Sequence, residues 1–491
     1  MTQSGLVWFR RDLRLDDQPA LLAAIASGKP VIPVYVHSPA EEGDWSLGAA
    51  SRWWLHQSLQ RLNEQLMARG SRLIIRRGDS QRELAKLIDQ TDAVSIHWNR
   101  RYEPASIAFD TQIKTAFRAQ GIRVESHNST LLFEPWEIST KEGRPYQVFT
   151  SFYKSCLSRA EPPLPEPIPD RIPAPNCWPA SLTVDELELE PAIRWDTGLQ
   201  QTWQPGAESA THELQRFLQS PVFSYDMARD QPSQRGTSRL SPHLHFGEIS
   251  PRTIWHETQQ VLQQQARSAD NKGIETFLKE IGWREFAYHL MFHFPKTTNE
   301  PLRKEFSRFP WQADPVGLAA WQRGLTGFPI VDAGMRELWT TGWMHNRVRM
   351  IVASFLVKDL LIPWQVGAAW FWDTLVDADL ASNTLGWQWS AGCGADAAPY
   401  FRVFNPILQS EKFDADGDYL RRWLPELKQL PTPWLHAPWT APAAILRQAE
   451  VKLGETYPHP IVDHAQARLR ALNALAQIKI STGSARGGET P

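Results

Sequence analysis

The chain has 491 residues, 42% hydrophobic and 22% charged, which describes a globular protein too long for one comfortable core, so two domains are expected. A formal net charge of −2 excludes nucleic-acid binding through the global field and leaves it to a local basic patch. Three cysteines without C-x-x-C spacing exclude a disulfide framework and a cysteine zinc site, and no run approaches the ~20 apolar residues of a membrane span. The N-terminus runs almost directly into a strand-like segment with no signal-peptide pattern, so a cytoplasmic location is expected. Tryptophan is the outlier, with 23 indoles against 9 tyrosines, and indoles suit stacking on bases or cofactor rings.

Strand and helix patterns alternate at first. Gly5–Phe9, Val31–Val36, Leu73–Ile75, Ala93–Trp98 and Ile122–Val124 read as strands. Helical runs separate them at Pro19–Ile25, Ala49–Ala68, Leu84–Ile88 and Ile107–Phe117. This predicts an α/β domain over residues 1–130 with a five-stranded, parallel, doubly wound sheet. No glycine-rich phosphate loop follows the first strand, which ends instead in Arg10-Arg11-Asp12-Leu13-Arg14. Taken alone, that cluster fits a solvated loop at the sheet edge. Ligands of such sheets bind at the carboxyl ends of the strands, so it and Asn99–Glu103 are also candidate binding loops.

Residues 131–205 change character. Pro162–Pro169 is too proline-rich for helix or central strand, and Asp185, Glu186, Glu188 and Glu190 follow. We read an extended surface connector, preceded by aromatic segments around Phe133–Trp136 and Tyr146–Thr150 that pack on one domain or the other. From 206 to 480 strand signals vanish. Helices are expected at His212–Leu218, Pro251–Gln264, Gly273–Phe294, Gly334–Thr340, His345–Asp359, Gln365–Leu375, Tyr419–Leu427 and His464–Ile478. They form an all-α domain, followed by a short polar tail over 481–491.

Four constellations stand out in the helical part. Asp377 and Asp379 lie one residue apart among aromatic residues; they fit a helix cap, a buried ion pair or a ligand site. Thr237-Ser238-Arg239-Leu240-Ser241 supplies hydroxyls and backbone amides ahead of a helical stretch, either as a cap or as a phosphate grip. Glu280, Trp283 and Arg284 share one helical face. Asn346, Arg349 and Met350 repeat that spacing, with Arg347 on a neighbouring face, and Arg349 could neutralise one of the two aspartates.

Assembled, these residues resemble the photolyase/cryptochrome family. The resemblance rests on Trp8–Arg14, Thr237–Ser250, Gly282-Trp283-Arg284-Glu285-Phe286, Gly327–Met335, Gly342–Arg347, Asp377–Trp389 and Tyr400–Pro406, in order along nearly the whole chain. Gly342–Met350 looks like the cyclobutane pyrimidine dimer photolyases. Asp332–Trp339, Tyr419–Leu427 and Leu131–Trp136 are similar to plant cryptochromes. Asn383, at a position that is Asn in dimer photolyases and Asp in plant cryptochromes, points to the class III photolyases. The alternative is a cryptochrome-type blue-light receptor signalling through protein partners; such receptors usually carry a longer C-terminal extension.

The resemblance implies FAD in the helical domain, active as FADH⁻, in light-driven repair of pyrimidine dimers in DNA. It implies that Tyr225, Thr237, Ser238, Arg239, Leu240 and Ser241 hold the phosphates and ribitol. Asp377, Ala378, Asp379, Phe277 and Arg284 belong to the same cofactor shell, with Arg349 paired to Asp377. Asn383 would face flavin N5, and Trp387, Trp364 and Trp311 would carry electrons to the flavin. Glu280 and Asn346 would hydrogen-bond the lesion, Trp283 and Trp389 would wall it, Met350 would pack beneath it, and Arg347 and Arg402 would touch phosphates. An antenna is implied as well, methenyltetrahydrofolate or alternatively a deazaflavin, although Pro104-Ala105-Ser106 departs from one folate-binding subgroup. No metal, no membrane and no obligate protein partner are expected, and the protein is expected to be a monomer.

Overall fold

The computed structural model describes residues 3–264, 271–396 and 402–486. Strands β1 (Ser4–Phe9), β2 (Val31–His37), β3 (Ile74–Arg77), β4 (Ala93–Asn99) and β5 (Arg123–His127) form one parallel sheet in the order β3-β2-β1-β4-β5. Central β1 is buried along its whole length, so its sequence is a continuous apolar run rather than an alternation. Helices α1 (Pro19–Ala26), α2 (Ala49–Ala68), α3 (Ser80–Thr91) and α4 (Pro104–Ala119) make the crossovers. Leu84 and Leu87 of α3 and Ile113 and Phe117 of α4 close one face of the sheet over Leu6, Trp8, Ile96, Trp98 and Val124, while α1 packs against β4.

Two strands begin and end later than expected. β3 runs to Arg77 and β5 covers R-V-E-S-H, not Ile122–Val124. Both lie at sheet edges, where a residue on the solvated side needs no apolar side chain, so the apolar run stops before the ladder does.

The proline-rich connector is docked rather than free. Val31 N donates to Pro173 O at 2.7 Å and Leu182 N to Ile75 O at 3.0 Å, so the connector covers the outer edge of β3. Before it, α5 (Phe149–Leu157) is a helix whose aromatic face lies on the Lys272–His293 helix, with Phe149 stacked on Trp283 at 3.8 Å.

By contact density the chain divides into two compact units. One comprises Met1–Phe223, Ser238–Pro295 and Val376–Leu380, the other Ser224–Thr237, Lys296–Leu375 and Ala381–Pro491. The second unit is helical. The helix expected over 345–359 runs as α-helix from Asn346 to Ser354 and opens into a π turn over Phe355–Asp359. The one expected over 419–427 breaks at Leu424, because Pro425 cannot continue the ladder. The last helix extends from His464 to Arg486. A buried Asp332 anchors this unit: its carboxylate accepts from Thr326 N at 2.6 Å, Gly327 N at 3.0 Å and Tyr457 OH at 2.7 Å. Tyr400 and the end of the polar tail (487–491) lie outside the described residues. Among the described residues no helix is long and apolar enough to cross a membrane.

Candidate functional site

The loop after β1 is not a solvated edge loop. Arg10, Asp12 and Arg14 are all buried. Arg10 donates to Asp110 on α4 at 2.6 Å and to the Asn99 carbonyl at 2.6 Å, and Arg14 donates to the Gly247 carbonyl at 2.9 Å. The Arg10 guanidinium ties the carboxyl ends of β1 and β4 together, where the strand order reverses.

Beside them opens a pocket of about 890 Å³, part of it open to solvent. Trp8, Tyr35, Phe109 and Phe246 give it aromatic walls. Its polar side is an alternating lattice: Arg11 contacts Glu42 at 2.9 Å and Glu103 at 3.6 Å, and Arg101 contacts Glu42 and Glu103, each at 2.9 Å. Burial alone would raise the pKa of the Glu103 carboxyl, but Arg101 and Arg11 outweigh it and hold Glu103 far below the ordinary carboxylate range. Of Asn99–Glu103, singled out in the sequence as a candidate loop, Arg101 lines this pocket.

In the same unit, the Lys272–His293 helix presents Glu280, Arg284 and Tyr288 at i, i+4 and i+8. Tyr288 OH donates to Asp379 Oδ2 at 2.5 Å, and burial followed by the Asp379 charge raises the Tyr288 pKa well above its ordinary value. Arg284 donates to the Thr130 carbonyl at 2.6 Å and lies over the Tyr288 ring. Asp377, Ala378 and Asp379 are buried immediately before the Leu380–Ala391 helix, and Asp379 N donates back to Asp377 O at 2.7 Å. Phe277 is buried against Phe217, with ring centroids 4.6 Å apart. In the Ser238–Ser241 stretch, Arg239 has φ +54° and its guanidinium lies over Trp203, Ser238 Oγ accepts from Leu240 N, and the helix that begins at Ser241 is short.

In the other unit, Asn383 Nδ2 donates to the Ala368 carbonyl at 3.1 Å. Trp387, one turn further along the Leu380–Ala391 helix, is buried edge-on to Phe371 at 5.0 Å and to Trp321 at 6.3 Å. Its Nε1 makes no hydrogen bond. Trp364 is buried, and Trp311 is half-buried against Phe309 at 4.4 Å. Arg347 pairs with Asp230 at 2.6 Å and lies over Phe413, and Met350 Sδ is 3.8 Å from its guanidinium. Arg349 Nε donates to the Met344 carbonyl at 2.7 Å. Asn346 is exposed, Trp389 is half-buried near Phe404, and Arg402 is exposed with its guanidinium over the same ring. Tyr225 is buried with Arg229 over its ring, and Thr237 is half-buried.

Two residues of consequence escaped the sequence reading. Tyr288 was legible, since it continues the Glu280–Arg284 spacing by one more turn. Glu285 was not, because only the fold buries it. Its Oε2 accepts from Leu132 N at 3.0 Å and Phe133 N at 3.2 Å, its Oε1 makes no hydrogen bond, and burial pushes its pKa up to about 7 against the opposing Arg284 charge.

A parallel doubly wound sheet with a pocket at its strand ends, together with a helical unit carrying buried indoles, defines an α/β-plus-helical class of protein. The chain matches the family model for DNA photolyase over residues 5–170 and that for the FAD binding domain of DNA photolyase over 277–477. It is 49% identical to a deoxyribodipyrimidine photo-lyase from Agrobacterium fabrum over 98% of this chain and 99% of that one. It is 42% identical to cryptochrome-1 of Arabidopsis thaliana over 96% of this chain and 70% of that one. The crystal structure of a bacterial class III photolyase from Agrobacterium tumefaciens superposes with a TM-score of 0.93 at 48% identity, covering 98% of each chain. The chain belongs to the photolyase/cryptochrome family, and its helical part is the family's FAD-binding domain.

Proposed function

We propose that this chain is a deoxyribodipyrimidine photolyase that repairs pyrimidine dimers in DNA under light. The observation that carries this reading is Asn383. The hydrogen bond from its Nδ2 to the Ala368 carbonyl fixes the amide, and among the described residues no protein donor engages Oδ1. That oxygen is available to accept from an N–H, as a reduced flavin ring carries at N5; a carboxylate there would instead add a charge to be neutralised. When bound, FADH⁻ supplies the light-excited electron that opens the dimer and then takes it back.

The remaining roles belong to the chain. Tyr288 orients Asp379 through a charge-assisted hydrogen bond, so that carboxylate enters the cofactor shell in one fixed direction. Trp387, Trp364 and Trp311 are the electron carriers of this reading. Glu280 and Asn346 are proposed to hydrogen-bond the flipped-out lesion, Trp283 and Trp389 to wall it and Met350 to pack beneath it, with Arg347 and Arg402 on phosphates, which would make affinity fall with salt. Asp377, Ala378, Phe277, Arg284, Arg349, Tyr225 and the Thr237–Ser241 segment complete the proposed FAD shell. We place the antenna, methenyltetrahydrofolate or alternatively a deazaflavin, in the pocket at the strand ends, whose aromatic walls suit a flat ring. The division proposed from sequence is kept: antenna domain 1–130, connector 131–205, FAD domain 206–480 and tail 481–491, in a monomeric cytoplasmic protein without obligate protein partners.

The second reading, a blue-light receptor, is favoured by the 42% identity to cryptochrome-1. One assay separates the two. Protein carrying reduced FAD is illuminated with dimer-containing oligo-dT, and thymine absorbance is expected to return only in the light. Asn383→Asp is expected to abolish that return. Absent or light-independent recovery with reduced FAD present would overturn the repair assignment, and full recovery in Asn383→Asp would overturn the role given to the amide.

A further inference from the structure

The strands β4 and β5 carry a set of side chains that the repair reading does not use. In the parallel ladder Ser95 pairs with Arg123, His97 with Glu125 and Asn99 with His127. Alternate residues of a strand share a face, so Ser95, His97, Arg123, Glu125 and His127 all project to the side opposite Ile96, Trp98 and Val124, which enter the core. There His97 Nδ1 lies 3.5 Å from Glu125 Oε2, and His127 Nε2 lies 3.9 Å from the same oxygen. The three donor atoms are all within 4.8 Å of one another.

Neither imidazole nitrogen makes a hydrogen bond, although both are buried atoms and the His97 side chain is only 2% exposed. An unpaired nitrogen in such a place normally costs about 1–3 kcal/mol and calls for an explanation. The supporting contacts leave these atoms free for one purpose. Ser95 Oγ lies 3.2 Å from the other ring nitrogen of His97, and a hydroxyl that accepts from Nε2–H there leaves Nδ1 bare for a ligand. Arg123 Nε donates to Glu125 Oε1 at 2.6 Å, which holds the carboxylate with Oε2 turned to the histidines. The rings themselves lie roughly parallel, 6.1 Å apart.

We propose that His97, Glu125 and His127 form a binding site for one divalent transition-metal ion of the Zn²⁺ class. A tetrahedral ion held at about 2.0–2.1 Å from each donor sets donor separations of roughly 3.4 Å. Closure therefore shortens the 3.5 and 3.9 Å spacings to Glu125 by a few tenths of an ångström and draws the two imidazole nitrogens, within 4.8 Å of each other, together by up to about 1.4 Å. Two imidazoles with one carboxylate suit zinc, whereas Ca²⁺ and Mg²⁺ demand oxygen ligands. Arg123 and Arg100 are the cations facing the cluster that oppose a metal, and they too disfavour a hard ion that relies on carboxylate charge. His127 and Glu125 are 24% and 30% exposed, so the fourth coordination position faces solvent. A bound ion would clip β5, the last strand of the sheet, to β4.

The test uses tag-free, FAD-containing protein stripped with a chelator and equilibrated with micromolar ZnCl₂. Wild type is expected to retain one zinc per chain more than His127→Gln or Glu125→Gln, both partly exposed positions, with flavin content unchanged. Ser95→Ala is expected to keep the stoichiometry and weaken affinity about 10–100-fold. Zinc X-ray absorption on wild type is expected to show two imidazole nitrogens. Equal zinc content in wild type and both variants, no uptake by wild type, or an all-oxygen zinc shell would overturn the assignment.

Discussion

The pocket at the strand ends and the cluster around Trp387 are both lined by aromatic rings, yet opposite means hold them. Around the pocket, side chains are positioned by charge: Arg11, Arg101, Glu42 and Glu103 alternate, and each carboxylate meets two guanidiniums. Around Trp387 position comes from shape alone. Its Nε1 bonds nothing, and the ring fits because residue 367 is glycine; a Cβ there would come within 2.1 Å of it. A charge lattice fixes geometry but fails when one partner is lost. A packed indole needs no charged partner but is sensitive to a single methyl group.

The largest expected effect comes from breaking the lattice. Arg101→Ala leaves two buried carboxylates served only by Arg11, and removing one member of a buried ionic set costs about 3–5 kcal/mol. We expect the denaturation midpoint of the variant to fall accordingly and any second chromophore to be lost on purification while FAD stays bound. A variant that unfolds like wild type and keeps its second chromophore would show that the lattice neither stabilises the pocket nor shapes it.

Glu285 stands between the two extremes, a carboxyl with two amide donors on one oxygen and none on the other. Its pKa is raised to about 7, so the folded protein binds the proton more tightly than the unfolded chain does. Its contribution to stability is therefore fully present below the unfolded pKa, near 4.5, and is lost as pH rises through about 7, a loss of up to roughly 3 kcal/mol. Glu285→Gln keeps the amide-to-oxygen bonds and cannot ionise. It is expected to flatten the stability profile over that window and to be the more stable protein at pH 8. Parallel wild-type and variant profiles would place the titration elsewhere.

What the sequence disclosed follows the same divide. The central strands and the long helices were legible because apolar periodicity records burial directly, as in S-G-L-V-W-F of β1. The edge strand β5 was only half legible, since R-V-E-S-H places a single apolar residue in the core. Arg10 and Arg14 looked like surface charges, because nothing local reveals Asp110, a hundred residues away, or the Gly247 carbonyl. Tyr288 could have been found by extending the Glu280 face one turn; Glu285 could not, because the amides that hold it come from Leu132 and Phe133. Charge lattices join distant parts of the chain, so periodicity cannot report them.

The smallest expected effect lies on the packed side of the comparison. Gly367 sits within the Trp364–Thr374 helix, where alanine would ordinarily be favoured by about 1 kcal/mol. Here the added Cβ meets Trp387 at 2.1 Å and Leu356 at 2.6 Å, and overpacking of that kind costs about 1–3 kcal/mol. The two terms nearly offset, so Gly367→Ala is expected to lose only about 1 kcal/mol of stability while displacing the Trp387 ring. If that ring carries electrons to the flavin, photoreduction by an external donor must slow in the variant. Repair by protein whose flavin was reduced beforehand must not, since that route does not pass through Trp387. Measuring both rates on one preparation separates transfer from folding: equal slowing of the two points to a general disturbance of the flavin site, whereas unchanged photoreduction with a shifted Trp387 fluorescence removes this indole from the route.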